Sequence, residues 1–250
     1  MSAVIKVSGL KMGYGDRVIM KKLDFEINAG EVFVILGGSG CGKSTLLKHM
    51  IGLYSPLAGD ITIKNKSIVK ADREDKRAIM QEFGVMYQSG ALFGSMTLAE
   101  NITMVLEEYT KLDKRARDKK AAEKLALVDL KGFEKFYPSE ISGGMKKRAA
   151  LARALALNPD ILFFDEPSAG LDPISAANLD RLILKLRNEF NATIVIVTHE
   201  LESIFAIADR VIMLDKETKQ IIADGNPHDL KENCEHQWVK DFLNRRESAE

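Results

Sequence analysis

Several short apolar runs punctuate the chain, each closing on a turn or on a polar or acidic residue. Val32–Leu36, Ile161–Phe164, Thr193–Val197 and Val211–Leu214 are continuous in hydrophobicity, and helical periodicity lies between most of them. Continuous runs separated by helices are how strands buried on both faces of a parallel α/β sheet read. The first thirty residues differ. Val4–Val7, Val18–Met20 and Phe25–Ile27 are shorter and partly alternating, with turns at Gly13-Tyr14-Gly15 and Asn28-Ala29-Gly30. With Ile61–Ile63 they predict a small antiparallel sheet beside the parallel one. From Gly90 to Leu157 strand signals stop, and 96–108, 114–127 and 144–157 read as helices, with Pro138 and Pro159 as punctuation. A helical insertion between two sheet strands is the expectation.

The first of those strands runs into Gly37-Gly38-Ser39-Gly40-Cys41-Gly42-Lys43-Ser44, and a helical run begins near Thr45. This G-x-x-x-x-G-K-S string, between a strand and a helix, is built for phosphate. Glycines let backbone N–H groups converge on phosphate oxygens, and the helix start adds the positive end of its dipole. Lys43 is placed for the β- and γ-phosphates, and the Ser44 hydroxyl for Mg²⁺. A second apolar strand, Ile161–Phe164, delivers Asp165 and Glu166 at its C-terminal end. Asp165 is expected to hold Mg²⁺ through water, and Glu166 to act as general base on the attacking water. His199 follows the strand Thr193–Val197, within reach of a γ-phosphate.

The motifs occur in the order of the ATP-binding subunit of ATP-binding-cassette transporters, and residues 3–225 resemble it. Gln88 is similar to the family's Q-loop glutamine, Ile141-Ser142-Gly143-Gly144-Met145 to its signature, Ala169–Asp172 to its D-loop, and Thr198-His199-Glu200 to its switch histidine. Tyr14 matches the aromatic that stacks on adenine. The resemblance implies a P-loop NTPase, RecA-like core from 1–88 and 158–225, a helical subdomain from 89–157, and an extension from 226–250. It implies ATP and Mg²⁺ as cofactors. Nucleotide contacts would come from Tyr14, from Gly37 through Thr45, and from Ser142, Gly143 and Gly144. Mg²⁺ ligands would be Ser44, Gln88 and Asp165, and hydrolysis would use Glu166, His199, Lys43 and Gln88. Ser142 also reads as the N-cap of a helix, a second phosphate-receptive helix start. In the family two subunits pair head to tail, each ATP lying between one phosphate loop and the other signature. The usual signature ends in Gln, and Met145 stands there.

The string Gly90-Ala91-Leu92-Phe93-Gly94-Ser95-Met96-Thr97, with Met145, looks like the ATPases of Mla-type phospholipid transporters. That resemblance implies a membrane permease docked after Gln88, a STAS-domain protein and an MCE protein as partners, and a place on the cytoplasmic face of the inner membrane. A core contact at a helix start is the other reading of Ala91–Phe93. A solute importer or lipoprotein exporter is the alternative use of the same ATPase. A nucleic-acid or ribosome clamp would need long coiled coils or two cassettes, and a small-molecule kinase would not need Ser142–Gly144 or Gln88.

Composition narrows this further. Lys plus Arg and Asp plus Glu are each 36 of 250 residues, so net charge is zero, against a strongly basic nucleic-acid binder. Two cysteines, Cys41 and Cys234, suit a reducing compartment. No apolar run approaches the roughly 18 to 20 residues a bilayer needs, so membrane action is expected through partners. Cys41 reads as filler whose thiol a nearby helix start could activate. Cys234 and His236 lie two apart, and no other ligand pair is evident, which argues against a metal site. Lys146-Lys147-Arg148 and Glu134-Lys135-Phe136 read as partner surfaces or solvated faces. In the tail, Trp238, Val239, Phe242 and Leu243 fall on one helical face, which docks either on a second copy or partner or on its own domain.

Overall fold

The computed structural model describes residues 2–15 and 17–246. Along the chain run β1 (Ala3–Tyr14), β2 (Arg17–Asn28), β3 (Val32–Gly37), α1 (Lys43–Met50), β4 (Ala58–Ile63), β5 (Lys66–Ser67) and α2 (Arg73–Met80). Then come β6 (Phe83–Met86), α3 (Leu98–Tyr109), α4 (Lys114–Leu127), α5 (Gly143–Ala154), β7 (Ile161–Asp165) and α6 (Pro173–Phe190). The chain closes with β8 (Thr193–Val197), α7 (Leu201–Ile207), β9 (Arg210–Asp215), β10 (Gln220–Gly225), α8 (Pro227–Asn233) and α9 (Gln237–Leu243).

Two compact units divide the chain at Met80 and Thr193. The first holds Met1–Met80 and Thr193–Glu250. Its antiparallel sheet has the order β2-β1-β4-β5. The short runs predicted there prove to be two strands of 12 residues each. Register shifts between Val7 and Leu10, and again before Met12, interrupt the alternation that marks a strand in sequence. In the same unit β3 pairs in parallel with β8 on one side and β9 on the other, and β10 closes the edge antiparallel to β9. Every residue of β3 and β8 is buried, which explains their unbroken hydrophobicity.

The second unit, Gln81–Ala192, pairs β6 with β7 in parallel and carries α3, α4, α5 and α6. Gly84 on β6 lets α5 come close: a Cβ there would sit 2.1 Å from the Ala154 carbonyl oxygen. The three helices expected from sequence are present, as α3, α4 and α5. Thr97 and Glu100 form a capping box on α3, and Asp113 caps α4. The longest helix, α6, starts at the N-cap Asp172 with Pro173 in its first turn, and ends on Asn191 in the left-handed conformation.

The tail 226–250 belongs, as far as it is described, to the first unit. Val239 and Leu243 are 0% and 2% exposed, so that face of α9 packs on its own unit.

Candidate nucleotide site

In the first unit, β3 ends at Gly37 and α1 begins at Lys43, and the loop between them must turn tightly enough to aim its amides inward. Gly42, the N-cap of α1, has φ 101°, and a Cβ on it would lie 2.6 Å from Ile19 Cγ2 and 2.9 Å from Met12 Cε. Only glycine fits that position. No acidic side chain occupies the first turn of α1, so no carboxylate of the helix competes with an anion for the positive end of its dipole. Lys43 Nζ donates to the carbonyls of Gly37 and Gly38, at 2.8 and 3.1 Å, which holds the ammonium over the loop.

Tyr14, at the end of β1, is half exposed, and its hydroxyl lies 3.2 Å from Thr45 Oγ1 on α1. The predicted base-stacking ring and the phosphate loop are therefore neighbours. Tyr54 packs edge-on against Tyr14 at 5.7 Å, and His49 Nδ1 lies 3.0 Å from the Tyr54 carbonyl oxygen. Tyr54 and His49 support the Tyr14 ring, and the motifs give no sign of them.

On the other side of the loop the Trp238 indole lies against Gly38, 3.6 Å from where a Cβ would stand. A cavity of about 500 Å³ opens there, lined by Gly38, Ser39, Cys41, Lys216, His236 and Trp238 among others. Cys41 is 2% exposed. Burial pushes its thiol pKa up, outweighing the nearby Lys43 charge. Desolvation wins over the helix start, in keeping with the reading of Cys41 as filler and against activation of its thiol. His199 sits on the loop after β8 with an exposed side chain, its Nε2 3.9 Å from Glu200 Oε1.

In the second unit, β7 delivers Asp165 and Glu166, 9% and 8% exposed. Glu166 adopts φ 48°, the left-handed region that a side chain rarely occupies, and the Ala169 N–H returns to its carbonyl. Strained backbone of this kind gathers at functional sites because the surroundings must hold it. The holder here is Lys147, whose Nζ donates to the Glu166 carbonyl at 3.2 Å and to the Gln88 carbonyl at 2.6 Å. Lys147 is 7% exposed, so for this residue the reading as a partner surface or solvated face is overturned. Its helical spacing to buried Ala150, Leu151 and Ala154 was the available signal. Arg148 instead reaches the carbonyls of Val128 and Asp129.

Ser142 caps α5, accepting from the Met145 N–H, as its sequence position predicted. Arg148, Arg181 and Lys185 line a cavity of about 460 Å³ that also includes Ser142 and Gly144, a basic surround suited to phosphate. The Asp172 side chain accepts from the Ile174 and Ser175 N–H groups, and bonds to Ser175 hold its carboxyl below the usual carboxylate range. After Gln88, Asn101 is fully buried. It accepts from the Phe93 N–H and donates to the carbonyls of Phe93, Met96 and Thr97. That staple shapes the loop and leaves the Phe93 ring 48% exposed.

The family profile described as ABC transporter matches residues 20–169, more than half of the chain. This chain belongs to the ABC transporter family. It is an ATP-binding subunit of the ABC class, whose members hydrolyse ATP to drive transport. Among its relatives, a probable ribonucleotide transport ATP-binding protein, mkl, of Mycobacterium tuberculosis is 43% identical, the match covering 98% of this chain and 68% of the relative. The intermembrane phospholipid transport system ATP-binding protein MlaF of Haemophilus influenzae is 37% identical, over 91% of this chain and 85% of the relative. Among solved structures, the ATP-binding cassette MJ0796, a dimer in a post-hydrolysis state bound to ADP and Pi, superposes with a TM-score of 0.80 at 29% identity. That likeness covers 89% of this ABC ATPase and 98% of MJ0796. CbiO1 from Clostridium perfringens, part of the transporter complex cbiONQ, gives 0.84 at 28% identity over 93% and 92% of the two chains.

Proposed function

We propose that two copies of this ABC ATPase pair head to tail around two MgATP and drive a permease that moves phospholipid between membranes. The observation that carries the pairing is that one chain has two phosphate-receptive helix starts, α1 behind Gly42 and α5 behind Ser142. Only one of them, α1, begins with a Lys-Ser pair, Lys43-Ser44. In this reading Lys43 and the first amides of α1 hold the β- and γ-phosphates, and Tyr14 stacks on adenine. Ser142, Gly143 and Gly144 meet the γ-phosphate bound to the other copy. Glu166 takes the proton of the attacking water, and His199 and Gln88 orient water and γ-phosphate.

Ser44, Gln88 and Asp165 offer hydroxyl, amide and carboxylate oxygens, the hard donors Mg²⁺ takes. When bound, Mg²⁺ neutralises charge that builds on the phosphate oxygens. Losing the γ-phosphate removes the bridge between copies, and the interface opens.

The phospholipid assignment rests on the similarity to MlaF and on the Gly90–Thr97 string. The Asn101 staple turns Phe93 outward, as a permease-docking loop requires, and Phe136 and Tyr137 are exposed in the segment whose carbonyls cap α3. Among the described residues no helix is long and apolar enough to cross a membrane. The permease would therefore supply the membrane path, with this subunit peripheral on the cytoplasmic face of the inner membrane and STAS-domain and MCE proteins in the same complex. A solute importer is the second reading. It is favoured by relatives named for glycine betaine transport in Bacillus subtilis and methionine import in Enterococcus faecalis, at 37% and 36% identity.

Extraction of the tagged subunit in mild detergent, with mass spectrometry of what accompanies it, separates the two. A permease with an MCE protein and bound phospholipid is expected. A different permease, with a solute-binding protein, would overturn the lipid assignment and keep the ATPase.

A further inference from the structure

Three cations of helix α5 end on backbone carbonyls: Arg148 reaches Val128 and Asp129, while Lys147 and Arg153 reach the segment that starts at Gln88. Lys147 Nζ bridges Gln88 O and Glu166 O, at 2.6 and 3.2 Å. Arg153 Nη1 donates to Ala91 O at 2.7 Å, and its Nη2 to Gly90 O at 2.9 Å. Neither arrangement is what packing alone selects. A buried ammonium costs several kcal/mol unless its donors are used and opposite charge is near. Here two carbonyls accept hydrogen bonds from it, and the Asp165 and Glu166 carboxylates act favourably on its charge. Desolvation still pulls its pKa below that of an ordinary lysine, a sign of how fully it has left water. Methionine would fill the same space without this cost.

The placement along α5 gives the clamps their meaning. Ser142, the cap, lies five residues before Lys147, about 7.5 Å along the axis, and eleven before Arg153, about 16 Å. A helix is stiff over that length, so a tilt or shift of its first turn moves both clamps together. The clamps hold the carbonyls of residues 88, 90 and 91, at the start of the loop that exposes Phe93. They also hold the strained backbone of Glu166.

We propose that Lys147 and Arg153 are positioning residues that make α5 a lever, coupling the phosphate-receptive turn at Ser142–Gly144 to the Gln88–Ala91 loop and to Glu166 in the same chain. Engagement of the signature turn by a nucleotide on a second copy then sets the hydrolytic residues of the chain that carries it. Movement of the Gln88–Ala91 loop reaches Glu166 by the same route. This rests on the reading of Gln88 and Glu166 as hydrolytic residues.

The test uses the full chain as wild type, Lys147→Met, Lys147→Gln and Lys147→Arg, with steady-state MgATP hydrolysis and hydrogen exchange of the nucleotide-free protein. A misplacement on the order of 1 Å at a catalytic group costs up to about 10²-fold in rate. Lys147→Met is expected to lower kcat by about 10- to 100-fold with KM within about twofold. Amides of 88–91 and 166–169 should exchange faster, and those of α5 should stay as in wild type. Lys147→Arg, which keeps charge and donors, should restore most of the rate, and Lys147→Gln should fall between. Unchanged kcat in Lys147→Met would overturn the proposal. So would faster exchange through the whole second unit, the mark of a packing role. If Lys147→Met does not fold, Lys147→Gln carries the same comparison. Near-normal turnover in Glu166→Gln would instead defeat the underlying reading, whatever the exchange shows.

Discussion

At the scale of single residues, the motifs expose the chemistry and conceal what holds it. Lys43, Ser44, Asp165, Glu166 and Ser142 are legible because phosphate chemistry demands those types at those spacings. Lys147 was not, because a lysine in a basic run reads as solvated and its partners are carbonyls, which leave no trace in side-chain identity. Tyr54 was hidden because its contact with Tyr14 spans three elements, β2, β3 and α1. Cys41 shows a competition decided by magnitude. A helix start lowers a thiol pKa and burial raises it, and burial prevails. The thiolate fraction near neutral pH is then smaller than for a free cysteine. Alkylation of Cys41 by iodoacetamide at pH 7.5 should be slower than that of a free thiol, and should keep rising with pH beyond about 9.5, where a free thiol of pKa about 8.5 has levelled off. Labelling as fast as a free thiol, with a plateau at that pH, would show that the helix start governs.

At the scale of elements, the buried parallel strands were the easiest to read and the edges the hardest. β3 and β8 are buried at every position and appear as unbroken apolar runs. β1 was legible only in fragments, since its register shifts break the period of two. α2 is eight residues long and buries only Ile79, so it offers no repeating apolar stripe to read. The tail left two dockings open in sequence, and burial of Val239 and Leu243 decides for its own unit. Leu243→Ala should cost about 2–5 kcal/mol of stability, as for other buried leucines, measured by urea unfolding. Trp238 is the only tryptophan of the chain. Its emission should therefore shift to the red in the folded variant as α9 loosens from Gly38. Unchanged stability and emission would mean that α9 does not dock as described.

The Asn101 staple belongs to this scale too. It fixes the loop through four hydrogen bonds and leaves Phe93 outside the core. Replacing the exposed Phe93 with Glu should leave ATP affinity within about twofold and thermal stability close to wild type, since exposed substitutions usually stay within about 0.5 kcal/mol. Co-purification of the permease should be lost. Loss of folding would restore the core-contact reading, and retained permease would move the docking surface elsewhere.

At the scale of the whole molecule, family membership and the ATP-binding role follow from motif order together with relatives that match most of the chain. What is transported was only partly legible. Phe93, proposed to meet a permease, is exposed and under no chemical requirement as strict as that of phosphate, and relatives named for different substrates match this chain at 36–37% identity. The central claim is that hydrolysis depends on Glu166 and that ATP joins two copies through Ser142–Gly144. The most direct measurement is sedimentation of Glu166→Gln with and without MgATP, paired with its turnover. Turnover should fall by at least about 10²-fold, with a monomer in the absence of nucleotide and a stable dimer in its presence. A species that stays monomeric with MgATP bound, or turnover near wild type, would contradict the account.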